Sequence, residues 1–148
     1  MPALPADPRR ANAETDVRTR DGGERPLVLI VEDHEDTRVM LKTVLELQGY
    51  SVALAEDGEE GVRVARSVRP QLVIMDATLP RLDGLAATRR IRSDSALQGV
   101  PVVFISGHAQ PDFREAALDA GGTDVLVKPI ALEVLASVLE RHLRANAA

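Results

Sequence analysis

Four short apolar runs in this chain end beside residues able to do chemistry. Glu32-Asp33 follow Leu27–Val31, Asp76 follows 71–75, Ser106 follows 100–105, and Lys128-Pro129 follow Asp124–Val127. Brought together, these ends would supply three carboxylates, a hydroxyl and an ammonium group. Two carboxylates ~4 Å apart repel by about 4 kcal/mol at an effective dielectric of ~20, so the cluster calls for a cation. Hard oxygen ligands with room for water suit Mg²⁺, which leaves positions open for phosphate oxygens. Lys128 is one of two lysines among 18 basic residues, the other being Lys42. A compact ammonium in a chain that otherwise uses arginine suits a point-charge phosphate contact. Each residue alone has a blander role: Asp33 as a helix cap, Asp76 in a turn before Pro80, Ser106 opening a Ser-Gly turn, Lys128 as a solvated lysine. Four independent placements at one crevice are harder to explain that way.

The elements that must position these residues are legible in the hydrophobic pattern. Apolar, β-branched runs at Leu27–Val31, Ser51–Ala55, 71–75, 100–105 and Asp124–Val127 read as strands. Met40, Leu41, Val44 and Leu45 mark a helix stopped by Gly49, and Val62, Ala65 and Val68 a second ended by Arg69-Pro70. Residues 85–92 form a third, 113–120 a fourth closed by Gly121-Gly122, and Leu132, Leu135, Leu139 and Leu143 stripe a fifth. Strands alternating with crossover helices imply an α/β fold with a parallel sheet covered on both faces. In the doubly wound order 2-1-3-4-5 the first and third strands are neighbours, and ligands sit beyond the carboxyl ends of the strands. Glu32, Asp33 and Asp76 would then converge.

Composition narrows the function classes. The 148 residues are 45% hydrophobic and 28% charged, which suits one globular domain. Cysteine is absent, so disulfides, thiolate metal sites and cysteine nucleophiles are excluded. Aromatics are 2% (Tyr50, Phe104, Phe113) and the net charge is -5, which disfavours a nucleic-acid partner. Residues 1–8 carry three of the nine prolines, and residues 1–26 carry five charges of each sign, so the net charge belongs to residues 27–148. That segment reads as a disordered extension with no signal-peptide core, and its acidic residues argue against a mitochondrial presequence. No run is long enough for a membrane span, so a cytoplasmic location and no membrane insertion are expected.

Residues 27–144 resemble the receiver domain of bacterial response regulators in two-component signalling. The resemblance lies in residues 29–33, Gly49-Tyr50, Ala55-Glu56-Asp57-Gly58, the run from Asp76 through Pro80 to Asp83-Gly84, Ser106-Gly107 and Lys128-Pro129. It implies a flavodoxin-like (βα)5 fold with Asp76 as phosphoacceptor, Glu32 and Asp33 as the acidic pair, Ser106 as the switch hydroxyl and Lys128 as a phosphoryl contact. It also implies a cis peptide before Pro129. Mg²⁺ would be held by Asp33, Asp76 and the backbone carbonyl of Thr78, with Glu32 acting through water. Such a domain catalyses only its own phosphorylation and dephosphorylation, so it is not an enzyme in the usual sense. Val125 stands where many receivers place an aromatic switch residue, and Phe104 reads as core. Thr78 and His108 flank the acceptor and the switch serine, where they could tune dephosphorylation, although His108 also reads as an exposed loop residue. Asp57-Gly58 and Asp83-Gly84 read as turn and cap residues.

Other classes fit less well. A dehalogenase-like phosphatase would need a carboxylate two residues after its nucleophile, where this chain has Thr78. An FMN carrier would find Glu32-Asp33-His34-Glu35-Asp36 repulsive, and no phosphate-binding glycine loop occurs. An unphosphorylated docking module is the remaining alternative, with no evident use for the charged residues. The expected partners are a sensor histidine kinase or histidine phosphotransfer protein and a downstream protein target. The contact surface would be helix 4, strand 5 and helix 5, which is also a possible dimer face. With little chain beyond the fifth helix, no output domain and no DNA binding are expected.

Overall fold

The computed structural model describes residues 25–107 and 111–147. Most of the 1–26 extension, and His108, lie outside the described residues. Five strands, β1 Leu27–Val31, β2 Ser51–Ala55, β3 Leu72–Asp76, β4 Val102–Ser106 and β5 Asp124–Val127, form one parallel sheet in the order β2-β1-β3-β4-β5. The helices are α1 Glu35–Leu47, α2 Gly58–Val68, α3 Gly84–Arg92, α4 Pro111–Asp119 and α5 Leu132–Ala147, with a 3₁₀ turn at Ser95–Leu97. The expected α/β class and strand order are those observed.

The core follows from strand periodicity. Side chains alternate across a sheet, so Val28 and Ile30 of β1 face one way and Leu29 and Val31 the other. Val28, Ile30, Ile74, Val103 and Ile105 pack with Leu41 and Leu45 of α1 and Leu135 and Leu139 of α5. Leu29, Val31, Val73, Met75 and Phe104 pack with Val62 of α2, Ile91 of α3 and Ala117 of α4. Both faces are covered, which is why the central strands read as continuous apolar runs. Phe104 is buried, as expected, and meets Phe113 of α4 edge-on with ring centroids 5.9 Å apart.

Two strand boundaries differ from the sequence reading by one or two residues. β3 includes Asp76, and β4 starts at Val102 and includes Ser106. Pro101 has no N–H to give the ladder, so regular pairing begins after it. The consequence matters for function: Asp76 and Ser106 are strand-terminal residues, held by the sheet rather than by a loop. Asp57 and Asp83 are helix caps, accepting from Glu60 N–H at 2.8 Å and Ala86 N–H at 2.9 Å. The 3₁₀ turn was not foreseen; Asp94 caps it by accepting from Ala96 N–H at 2.9 Å.

Candidate functional site

The carboxyl ends of β1, β3, β4 and β5 meet at one edge of the sheet. Val31 pairs in register with Met75, and Asp76 with Ile105, so Glu32 and Asp76 project from adjacent strand ends. Ser106 stands one residue past Ile105 and pairs with Val127, next to Lys128. The Lys128 N–H donates to the Ser106 carbonyl at 2.8 Å, and the Lys128–Pro129 peptide is cis, as expected. Glu32, Asp76 and Ser106 are buried, while Asp33 and Lys128 are partly exposed.

Geometry within the pocket sets the charge balance. Lys128 Nζ lies 3.5 Å from Glu32 Oε1 and 3.8 Å from Asp76 Oδ1, longer than hydrogen bonds but close enough for strong attraction. Asp76 Oδ1 accepts from the Thr78 N–H at 3.2 Å, which folds the backbone of Thr78 against the acceptor. Burial, then the charge and hydrogen bond of Glu32, push the Asp76 carboxyl up to about 6 against the lowering effects of Thr78 N–H and Lys128. Burial also works to raise Glu32, but the His34 N–H, the hydrogen bond with Asp76 and Lys128 outweigh it, and Glu32 sits below the usual range. The two carboxylates therefore titrate as a pair, with Asp76 raised and Glu32 lowered.

These residues fit a hard cation. Glu32, Asp33, His34 and Asp76 each offer a ligand atom, all within 4.8 Å of one another. Glu32 Oε1 and Asp33 Oδ1 are buried atoms without a hydrogen-bond donor. Lys128 meets Glu32 Oε1 only at ion-pair range, so these buried oxygens keep capacity for a cation. Asp33 does not cap α1, because His34 holds that position without a side-chain bond.

Three contributors escaped the sequence reading. His34 Nδ1 lies 3.3 Å from Glu32 Oε2 and 3.4 Å from Asp33 Oδ1. Arg38, on the first turns of α1, donates from Nη1 to the carbonyls of Glu32 at 2.9 Å and Asp33 at 3.4 Å, which ties down the loop carrying the acidic pair. Gly84 packs on the backbone of Asp76: a Cβ there would stand 2.5 Å from the Asp76 carbonyl oxygen. A glycine after a cap was visible, but this close approach comes from tertiary packing.

A family model described as the response regulator receiver domain matches residues 28–140. The chain belongs to this family. As a receiver domain it is 39% identical over 117 residues to the response regulator MprA of Mycolicibacterium vanbaalenii, covering 79% of this chain and 50% of that protein. MprA of Mycobacterium avium matches at 38% identity over the same length. The chain thus spans about half the length of these curated relatives. Among solved structures, the receiver domain of the sensor histidine kinase PA1611 from Pseudomonas aeruginosa superposes with a TM-score of 0.76 at 35% identity, covering 81% of this chain and 98% of that one. That structure has a magnesium ion coordinated in its active-site cleft. The chemotaxis protein CheY4 of Vibrio cholerae also superposes at 0.76, with 29% identity and 79% and 98% coverage.

Proposed function

We propose that this receiver domain accepts a phosphoryl group on Asp76 from the phosphohistidine of a sensor kinase or phosphotransfer protein, then signals to a protein target. The observation that carries this reading is the buried Asp76 carboxylate flanked by Lys128, Glu32 and Asp33 at the strand ends. In the transfer, an Asp76 oxygen attacks phosphorus, the phosphorus–nitrogen bond breaks, and the imidazole leaves with its electron pair and takes up a proton. An aspartyl phosphate results. Such a transfer needs positioning and charge neutralisation more than covalent chemistry from the protein.

Each residue has a share in that positioning. The rigid strand end fixes Asp76, and the Thr78 N–H orients its carboxylate. Lys128 places an ammonium group where charge develops on a phosphoryl oxygen. Asp33, Asp76 and the Thr78 carbonyl would hold Mg²⁺, with Glu32 acting through water, and the ion would neutralise charge on the transferring group. The product adds roughly -1.5 to -2 charges and new acceptors, to which the Ser106 hydroxyl donates. Ser106 closes β4, so its movement pulls on the segment leading to α4. Leu118, Val127, Leu132 and Val134, on α4, β5 and α5, are exposed apolar side chains that suit a protein contact there.

Acetyl phosphate with Mg²⁺ provides the test. Intact mass measurement under acid quench is expected to show a gain of one phosphoryl group in the wild type and none in Asp76→Asn. No gain in the wild type overturns the phosphoacceptor reading; a gain in Asp76→Asn overturns the assignment to Asp76.

A further inference from the structure

Charge is unevenly spread over the folded chain. Residues 27–62 set Arg38 and Lys42 against nine carboxylates, a net of -7, whereas residues 63–92 set seven arginines against Asp76 and Asp83, a net of +5. Asp76 is buried in the pocket and Asp83 caps the start of α3, away from the arginines of its last turn. α2 and α3 are neighbours on one face of the sheet. Val62 and Ala65 share a buried cluster with Ala87 and Ile91, and Arg66 Nε lies 3.9 Å from Asp94 Oδ2, just past α3. Arg63 precedes Arg66 by three residues and shares its side of α2. On α3, Arg92 turns away from α2, donating to Gly121 O and Leu97 O, so Arg90, about 160° round the helix from it, lies on the α2 side. Arg63, Arg66 and Arg90 therefore line the seam between the two helices, with Arg69 and Arg89 exposed beside it.

These cations are poorly neutralised. Arg63 meets Glu60 at 3.4 Å and Arg66 meets Asp94 at 3.9 Å, both with half or more of the side chain exposed, and no carboxylate among the described residues pairs with Arg69, Arg89 or Arg90. Cations favour the last turn of any helix, but that preference selects no side of it, and α1 ends without one. Arginine is enriched at protein contacts, where its fork binds carboxylates in pairs. We infer that the seam between α2 and α3 docks an acidic segment of a protein partner, a short run of Asp and Glu side chains. The overall charge of -5 limits what fits. Glu59 and Glu60 head α2, so a nucleic acid, with charge continuous along its length, would run from the arginines onto carboxylates. A short acidic segment stays within the basic area. Different elements build this surface from those that carry the exposed apolar side chains of α4, β5 and α5, and docking here is independent of the chemistry at Asp76.

Fluorescence anisotropy with a labelled decaglutamate peptide tests this on the wild type and on two triple variants of equal net charge. Arg63→Gln/Arg66→Gln/Arg90→Gln neutralises the seam, and Arg114→Gln/Arg141→Gln/Arg144→Gln neutralises exposed arginines of α4 and α5. The peptide is expected to bind the wild type and the second variant alike, more weakly as salt rises, and to bind the seam variant about tenfold or more weakly still. Amide NMR shifts on titration should concentrate in α2 and α3. Absence of binding, an equal loss in both variants, or shifts centred elsewhere overturns the inference. Tighter binding of a decathymidylate strand or of phosphatidylserine vesicles, lost in the seam variant, gives the surface to nucleic acid or membrane and overturns it too. So does salt-sensitive self-association in sedimentation that the seam variant loses, which would make the occupant a second copy. Thermal melts confirm that each variant is folded.

Discussion

At the scale of residues, the pocket is poised by opposing charges. The raised Asp76 means that the folded state holds a proton more tightly than the unfolded chain between the ordinary carboxyl value of 3.8 and about 6. Stability contributed by that proton is present at low pH and lost as pH rises through this window. Two pH units correspond to on the order of 3 kcal/mol, and the lowered Glu32 works in the opposite direction, so the net slope is smaller. Asp76→Asn is therefore expected to raise the melting temperature of the metal-free domain at neutral pH and to flatten its dependence between pH 4 and 7. Melting in chelator across that range checks it. The same proton competes with a cation: Mg²⁺ affinity should fall towards tenfold per unit below about pH 6, and titration at several pH values tests that. Lys128→Met removes the ammonium that faces both carboxylates. Asp76 should then titrate higher by carboxyl NMR, and acetyl phosphate labelling should slow by about tenfold or more.

Elements explain why some residues were legible and others were not. The strand ends were readable because β-branched runs stop where polar chemistry starts, and the sheet order then forces Glu32, Asp33 and Asp76 together. Asp57 and Asp83 were readable as caps because capping is local. Arg38 and Gly84 were not, since each acts on atoms brought near by the fold: Arg38 on the loop after β1, Gly84 on the end of β3. Arg92 is a further case. Its guanidinium, whose pKa burial lowers, donates to Gly121 O and Leu97 O, both at 2.9 Å, and so joins α3 to the turn before β5. Gly84→Ala is expected to push the Asp76 backbone and lower stability by about 1–3 kcal/mol. Labelling should fall with it, whereas an Arg92→Met loss of similar size should lower stability and leave the labelling rate of folded protein largely intact. Denaturant melts paired with labelling rates separate the two. Arg69 adopts a left-handed conformation at φ 49 where α2 ends, a position that glycine occupies without strain.

For the molecule as a whole, one sheet carries both cores, because every strand except the edges is buried on two faces. Neither layer of helices can unfold while the strands keep their packing on the other, which predicts a single cooperative transition. The pocket sits at the end of that shared sheet, so any ion bound there is coupled to the stability of the entire domain. A ligand specific for the folded state stabilises by about 2.7 kcal/mol at 100 times its Kd. For a domain of this size that corresponds to a rise in Tm of roughly 8–12 °C. Mg²⁺ at that excess is thus expected to shift the whole transition upward without splitting it. Asp33→Asn removes one charge from a partly exposed ligand while sparing the core, so it should retain the metal-free Tm within about 2 °C yet lose most of the Mg²⁺ shift. Calorimetry with and without Mg²⁺ on both proteins decides it. An equal shift in Asp33→Asn would place the ion elsewhere, and two separate transitions would show that the two core layers fold independently.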